Sequence, residues 1–354
     1  MKFKKISSIL AIALAVSLAG CSNPDAPSNS ENNSAPSEVT GESPSGDEAS
    51  AEYPITIKHA FGETVIEKKP ERIATISWGN QDVPLALGVV PVGVSEANYG
   101  VIDDSGLLPW TKEAFKDSGV DNPSLFKDTD GLDFEAISDS QPDVILAAYS
   151  GITQEEYALL SEIAPVVAYP TLAWQTYWRE QITMDASGMG MKAEGEQLVA
   201  RLNELIAEKT SEYPQIQGKK AAFFYFTPTD LGKFYIYLPS DPRAAYLTDL
   251  GMEFPESVLN LAASSESFAI EVSAEKVDAL NDLDIIIAYG DKALLGALQA
   301  DPLLGTVPAI KRGSVVLIAD GTPLAASGTP SALSIPATID EYLKLIGEAA
   351  DKAE

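Results

Sequence analysis

From residue 53 onward, short β-branched apolar runs alternate with stretches in which apolar positions recur every three or four residues. That pattern predicts strands alternating with amphipathic helices. In the first half, 55–58 and 64–66 flank Phe61-Gly62-Glu63 and predict a hairpin. Residues 73–76, 90–94, 144–149 and 166–169 predict buried strands, and 81–87, 133–139 and 153–163 predict helices, with Asp133 at an N-cap position. The longest helical pattern covers 192–213, where Ala193, Leu198, Leu202, Leu205 and Ile206 fall on one face before Pro214 ends it. A second alternation follows, with strands over 221–226, 234–238, 285–289 and 315–318 and helices over 243–250, 274–280, 292–299 and 337–349. Such alternation implies mainly parallel strands covered by helices. The expected fold is α/β: an N-terminal lobe over 53–190 and a C-terminal lobe over 214–354, bridged by a single long α-helix over 191–213. About 300 residues suffice for two separate cores.

A weak internal repeat marks one edge of each lobe. Asp133-Phe-Glu135-Ala-Ile precedes Pro142-Asp143-Val-Ile-Leu-Ala-Ala-Tyr149, and Ser273-Ala-Glu275-Lys-Val precedes Leu283-Asp284-Ile-Ile-Ile-Ala-Tyr289. Each unit has a capping residue, a glutamate two positions later, an apolar strand preceded by aspartate, and a tyrosine at the strand's end. In parallel α/β units, helix N-termini and strand C-terminal ends share the edge at which ligands bind. Glu135, Glu275, Tyr149 and Tyr289 are therefore expected on that edge. A first-turn acid that merely complements a helix dipole is the competing reading for each glutamate.

The first 52 residues read differently. Lys2, Lys4 and Lys5 precede an apolar run over 6–19 that is too short to span a bilayer and fits a secretory leader over 1–20. It ends in Leu18-Ala19-Gly20-Cys21, which resembles a bacterial lipobox. Cys21, the only cysteine in the chain, is thus the expected lipidation site, and no intrachain disulfide is available. Residues 21–52 hold seven acids, no Lys or Arg, and no aromatic residue, the composition of a disordered acidic tether. The formal charge of −28 becomes −31 once the three leader lysines are removed, and −24 once the tether's seven acids are set aside. Such a field disfavours nucleic acid and anionic membrane surfaces. The expected location is extracytoplasmic, on the outer face of the cell membrane, with membrane contact through the lipid anchor alone.

Several motifs in fixed order carry a family resemblance: Pro70-Glu-Arg72-Ile73, Leu87-Gly88-Val-Val-Pro91-Val-Gly93, the run from Leu132 through Pro142-Asp143-Val144-Ile145, Ile163-Ala-Pro165-Val-Val167 and Ala309-Ile-Lys311-Arg-Gly313. Over essentially the whole chain from Tyr53, this resembles the helical-backbone solute-binding lipoproteins of ABC importers for ferric siderophores, haem and cobalamin. The resemblance implies two lobes on one stiff helix and a ligand held in the cleft. It also implies delivery to a permease dimer with a cytoplasmic ATPase, by a monomer with no intrinsic cofactor. Glu135 and Glu275 fall on motif positions whose glutamates meet permease arginines, a role suited to bidentate carboxylate–guanidinium contacts.

A ferric siderophore arrives with its iron already coordinated, so its receptor needs aromatic walls and a few cations rather than metal ligands. Trp78 and Asn80 follow the first core strand, Tyr99 follows the second, and Trp174, Trp178 and Arg179 follow 166–169. Arg243 lies in Ser240-Asp-Pro-Arg243, a position where siderophore binders resembling this chain often carry arginine. With Tyr149 and Tyr289 these form the expected ligand site. Competing readings stand beside them: Trp178 as core and Arg179 as surface, the two tyrosines as packing residues, and Arg243 paired with Asp241 or Asp249. The single histidine, His59, cannot build a histidine metal cluster. Ferric iron on tyrosines, haem and cobalamin stay open as ligands. A hydrolase is disfavoured: no Gly-x-Ser-x-Gly elbow or phosphate-binding glycine motif occurs, and a triad would have to use His59.

Overall fold

The computed structural model describes residues 51–128 and 130–353. The leader, Cys21 and the tether up to residue 50 lie outside the described residues.

Strands β1 (Ile55–His59) and β2 (Gly62–Ile66) form the expected antiparallel hairpin. The first sheet follows, built from β3 (Ile73–Thr75), β4 (Gly93–Ser95), β5 (Leu125–Phe126), β6 (Val144–Ala147) and β7 (Val166–Ala168). Its order is β5-β4-β3-β6-β7 and every pair is parallel. Helices α1 (Asp82–Ala86), α2 (Pro109–Asp117), α3 (Phe134–Asp139), α4 (Gln154–Ile163) and α5 (Trp178–Gly188) cover it. Two helix starts follow directly from sequence. The Asp133 carboxylate accepts from Ala136 N, and Thr153 with Glu156 forms a reciprocal capping box on α4.

The long helix α6 (Lys192–Ser211) leads to the second half, burying Leu198, Leu202 and Ile206 against α5 and the C-terminal helix α12 (Ser334–Ala350). Ala193 is exposed instead, at the start of the helix. The second sheet contains β8 (Ala221–Thr227), β9 (Asp230–Tyr237), β10 (Ala269–Ser273), β11 (Ile285–Tyr289) and β12 (Val315–Ile318), in the order β10-β9-β8-β11-β12. Strand β9 runs antiparallel to both β8 and β10, so this sheet is mixed. Around it lie α7 (Pro242–Asp249), α8 (Glu256–Ala262), α9 (Lys292–Ala300), α10 (Pro308–Arg312) and α11 (Pro323–Ala326).

Some boundaries differ from expectation. The strand expected over 90–94 pairs only at Gly93–Ser95; there a side chain on Gly93 would place its Cβ within 2.2 Å of the Phe126 ring. Residues 274–280 form 3-10 turns rather than an α-helix, because Lys276 (φ −97°, ψ 20°) leaves the helical region. Helix α12 begins at Ser334, three residues earlier than the pattern predicts. Pro336 is tolerated there because first-turn N–H groups have no intrahelical acceptor.

Candidate ligand-binding site

A cavity of 520 Å³ opens between the two halves. From the first half it is walled by strand-end loops, including Trp78, Tyr99, Tyr149 and Trp174, and from the second by Arg243, Phe268, Tyr289 and the α11 region. Six of the nine expected ligand residues therefore meet in one place: Trp78, Tyr99, Tyr149, Trp174, Arg243 and Tyr289.

The backbone is shaped to present these side chains. Ser77 (φ 65°) and Trp174 (φ 61°) occupy the left-handed region, which costs non-glycine residues energy and is held here by local bonds. Ser77 N donates to Ser95 Oγ at 2.8 Å, and Trp174 N donates to Ser150 O at 3.0 Å. The Trp174 indole lies over Gly151, where a Cβ would fall 2.2 Å from its Nε1; only glycine admits the ring. Trp174 meets Tyr149 edge-on, with ring centroids 5.4 Å apart.

Asn80 does not line the cavity; it is fully buried beneath it. Its amide donates to Ile76 O (2.7 Å) and Tyr149 O (3.0 Å), while its oxygen accepts from Tyr149 N (3.0 Å) and Gln181 Nε2 (3.0 Å). It thereby ties the loop that carries Trp78 to the loop that carries Tyr149. Trp178 and Arg179 also lie elsewhere. Trp178 is 2% exposed and donates through Nε1 to Asp249 at 2.8 Å. Arg179 stacks over its ring at 4.2 Å, pairs with Asp249 at 2.7 Å and donates twice to Asn203. The first turn of α5 rotates both side chains away from the cavity, where they join α5, α6 and α7.

Arg243 is the one basic side chain among the described lining residues. It stacks 4.1 Å above the Tyr237 ring, and its Nε and Nη2 donate to both oxygens of Asp241 at 2.8 and 2.6 Å. Asp241 is 0% exposed, so the pair is nearly neutral when seen from the cavity. Burial pushes the Tyr149 phenol well above its ordinary pKa, and burial moves Tyr289 to about 12. The Tyr99 hydroxyl, also raised by burial and by its bond to Asp320, donates to that carboxylate at 2.5 Å.

Sequence reasoning missed Ser77, Glu96, Asp128, Glu156, Phe268 and Thr329, all of which line the cavity. The strand-end argument reaches Glu96, which directly follows β4, and Asp128, which stands just past β5 after Lys127. Phe268 and Thr329 stand in loops with no such signal. Burial raises the Asp128 pKa, and Asp128 accepts from Ser95 Oγ. Glu135 and Glu275 are both exposed, in the first turn of α3 and in the 3-10 turn after Ser273, whose Oγ accepts from Glu275 N. No group of His, Cys, Asp and Glu able to hold a metal ion occurs among the described residues, and no described helix is long and apolar enough to cross a membrane.

Comparison with known proteins places this geometry. PiaA of Streptococcus pneumoniae TIGR4, solved in complex with ferrichrome, is 54% identical, with a TM-score of 0.82 over 85% of this chain and 100% of its own. A periplasmic solute-binding protein from Mycobacterium smegmatis is 26% identical, with a TM-score of 0.67 over 84% of this chain and 99% of its own. The Fe(3+) dicitrate-binding periplasmic protein FecB of Escherichia coli K12 is 24% identical over 286 residues, 76% of this chain and 86% of FecB. The family profile for periplasmic binding proteins, which are substrate binders rather than enzymes, matches residues 73–321. With that match added to two α/β lobes on one long helix, this chain belongs to the periplasmic binding protein family.

Proposed function

We propose that this protein captures an uncharged ferric hydroxamate siderophore in the cavity between its lobes and delivers it to an ABC-type permease. The observation that carries this reading is the charge of the cavity wall. Its described basic group, Arg243, is already matched by Asp241, while Glu96, Asp128 and Glu156 contribute only negative charge. A polyanionic tricatecholate or citrate complex would meet net repulsion there. A neutral hydroxamate chelate offers carbonyl and N–O oxygens to Arg243 and the tyrosine hydroxyls, with apolar surface for Trp78 and Trp174. The ferrichrome complex of PiaA, 54% identical, supports the same chelate class.

In this reading Trp78, Tyr99, Tyr149, Trp174, Arg243 and Tyr289 contact the ligand, and Asn80 holds two of their loops. Exposed Glu135 and Glu275 receive permease arginines, Cys21 carries the lipid anchor, and the protein works as a monomer at the outer face of the cell membrane. The test is titration of tryptophan fluorescence with ferrichrome, ferric enterobactin and ferric citrate. Ferrichrome should bind at least 100-fold more tightly than the two anionic complexes. Equal or tighter binding of ferric enterobactin refutes the reading.

A further inference from the structure

Residues 320–331 belong by chain position to the second half, yet the first lobe holds them at both ends and in the middle. At one end, Tyr99 donates to Asp320 at 2.5 Å and in turn accepts from Gly321 N at 3.1 Å. At the other, the Ser331 hydroxyl donates to Asp82, the first residue of α1. Asp82 is 1% exposed, and it also accepts from Trp110 Nε1 at 3.1 Å and Thr111 Oγ1 at 2.9 Å. Between these ends, Ala326 packs with Leu108 and Trp110, and Trp78 and Tyr99 close over the same cluster. Gly100 approaches so closely that a Cβ there would sit 2.5 Å from the Ala326 methyl and 3.0 Å from Thr322 O. In the other direction the Tyr289 hydroxyl reaches Ala325 O at only 3.5 Å, while Leu324 and Ala325 pack into the core that also holds Ile318 and Ile335, and Ser331 Oγ accepts from Ser334 N at 3.1 Å. Ala325, Ala326 and Thr329, all in this segment, form cavity wall.

We infer that segment 320–331 is a strap that moves with the N-terminal lobe, and that Asp82 is the positioning residue that fixes the α11 wall beside Trp78 at the cavity. A desolvated carboxylate with several donors is a stiff junction, because each lost donor leaves a buried charge under-satisfied. Asp82 touches no ligand; it acts through Ser331 on one wall and through α1, which follows Trp78, on the other. The functional part of this inference rests on reading the cavity as the chelate site.

Two measurements test it. The first is amide hydrogen exchange on the ligand-free protein, comparing wild type with Ser331→Ala and Asp82→Asn. Amides of 321–331 should exchange at least about tenfold faster in both variants, while those of β8 and β11 keep wild-type rates. The second is ferrichrome dissociation followed by tryptophan fluorescence. Ser331→Ala should release ferrichrome about tenfold faster with its association rate unchanged, and Ser331→Thr, which keeps the hydroxyl, should restore both readouts. Unchanged protection of 321–331, or an equal loss across the whole molecule, overturns the strap. A loosened strap with ferrichrome release within twofold of wild type overturns the positioning role. Failure of the wild type to bind ferrichrome defeats the ligand reading alone, since the exchange experiment needs no ligand.

Discussion

Replacing Arg243 by alanine leaves the Asp241 carboxylate in place and removes its cationic partner. Asp241 is 0% exposed, so the two guanidinium bonds at 2.8 and 2.6 Å can be replaced only by water entering from the cavity that Arg243 lines. The backbone N–H of residue 243, at 2.8 Å, is the carboxylate's partner that stays. Breaking one partner of such a pair typically costs about 3–5 kcal/mol, whereas replacing both with apolar groups is often close to neutral. Asp241 is also the N-cap of α7, so its own removal adds about 1 kcal/mol. Arg243→Ala should therefore be destabilised by about 3–4 kcal/mol. Asp241→Ala should lose about 2–3 kcal/mol, because the arginine keeps its stacking on Tyr237 and faces the open cavity. The double variant should lose about 2–3 kcal/mol, well short of the sum. Urea unfolding of the four proteins at pH 7.5, with m-values checked for equality, gives the coupling energy. A coupling below about 0.5 kcal/mol would mean that the two residues act independently, and the description of a matched buried pair would be wrong.

Other expectations follow from the same geometry. Trp78→Ala should weaken ferrichrome binding by about 2 kcal/mol, roughly 30-fold, through loss of aromatic contact area, and should also lower the unfolding midpoint because the ring packs on the Leu108–Trp110–Ala326 cluster as well as lining the cavity; isothermal titration reads the binding loss. Burial raises the Asp82 carboxyl from 3.8 to about 6, so the folded state holds that proton more tightly than the unfolded chain. The stability linked to it is present below about pH 4 and is lost as pH rises through about 6. Asp82→Asn should remove about 2–3 kcal/mol of that pH dependence, measured as the difference between variant and wild-type unfolding free energies at pH 4 and pH 8. Glu135→Arg combined with Glu275→Arg should abolish uptake of radiolabelled ferrichrome while solution affinity stays at the wild-type value; surviving uptake removes the docking role. Cys21→Ser protein should bind normally yet appear in the culture medium, as immunoblotting of cell and supernatant fractions will show.

The sequence was most legible where local chemistry and burial agree. Asp133 and Thr153 announce α3 and α4 through their caps, and β11 and β12 are apolar runs whose bounds match expectation. Strand β10 was not legible: Ala-Ile-Glu-Val-Ser is a half-exposed edge strand, and its pairing with β9 is a tertiary fact. Strand β5 has only two residues and offers no period to read. At the site, Trp78, Tyr99 and Tyr149 were found because ligands gather at the ends of parallel strands. Trp178 and Arg179 follow β7 just as plausibly as Trp174 does. What separates them is the left-handed turn at Trp174 and the helix that starts at Trp178, neither of which is visible in composition. Arg243 was legible as a cation with Asp241 or Asp249 as its rival partner, and the turn into α7 decides for Asp241, which holds it while it still faces the cavity.

The two buried phenols bear on what happens to the metal. Tyrosine binds ferric iron as phenolate, and burial raises the pKa of Tyr149 and Tyr289, so forming a phenolate there costs more than at an exposed tyrosine. A site of this kind recognises the outside of a chelate and is poorly equipped to compete for the ion within it. Iron exchange between chelator and protein is therefore disfavoured throughout the time the cargo is bound. On the proposed function, the cargo would therefore be handed on with its own donors still around the iron.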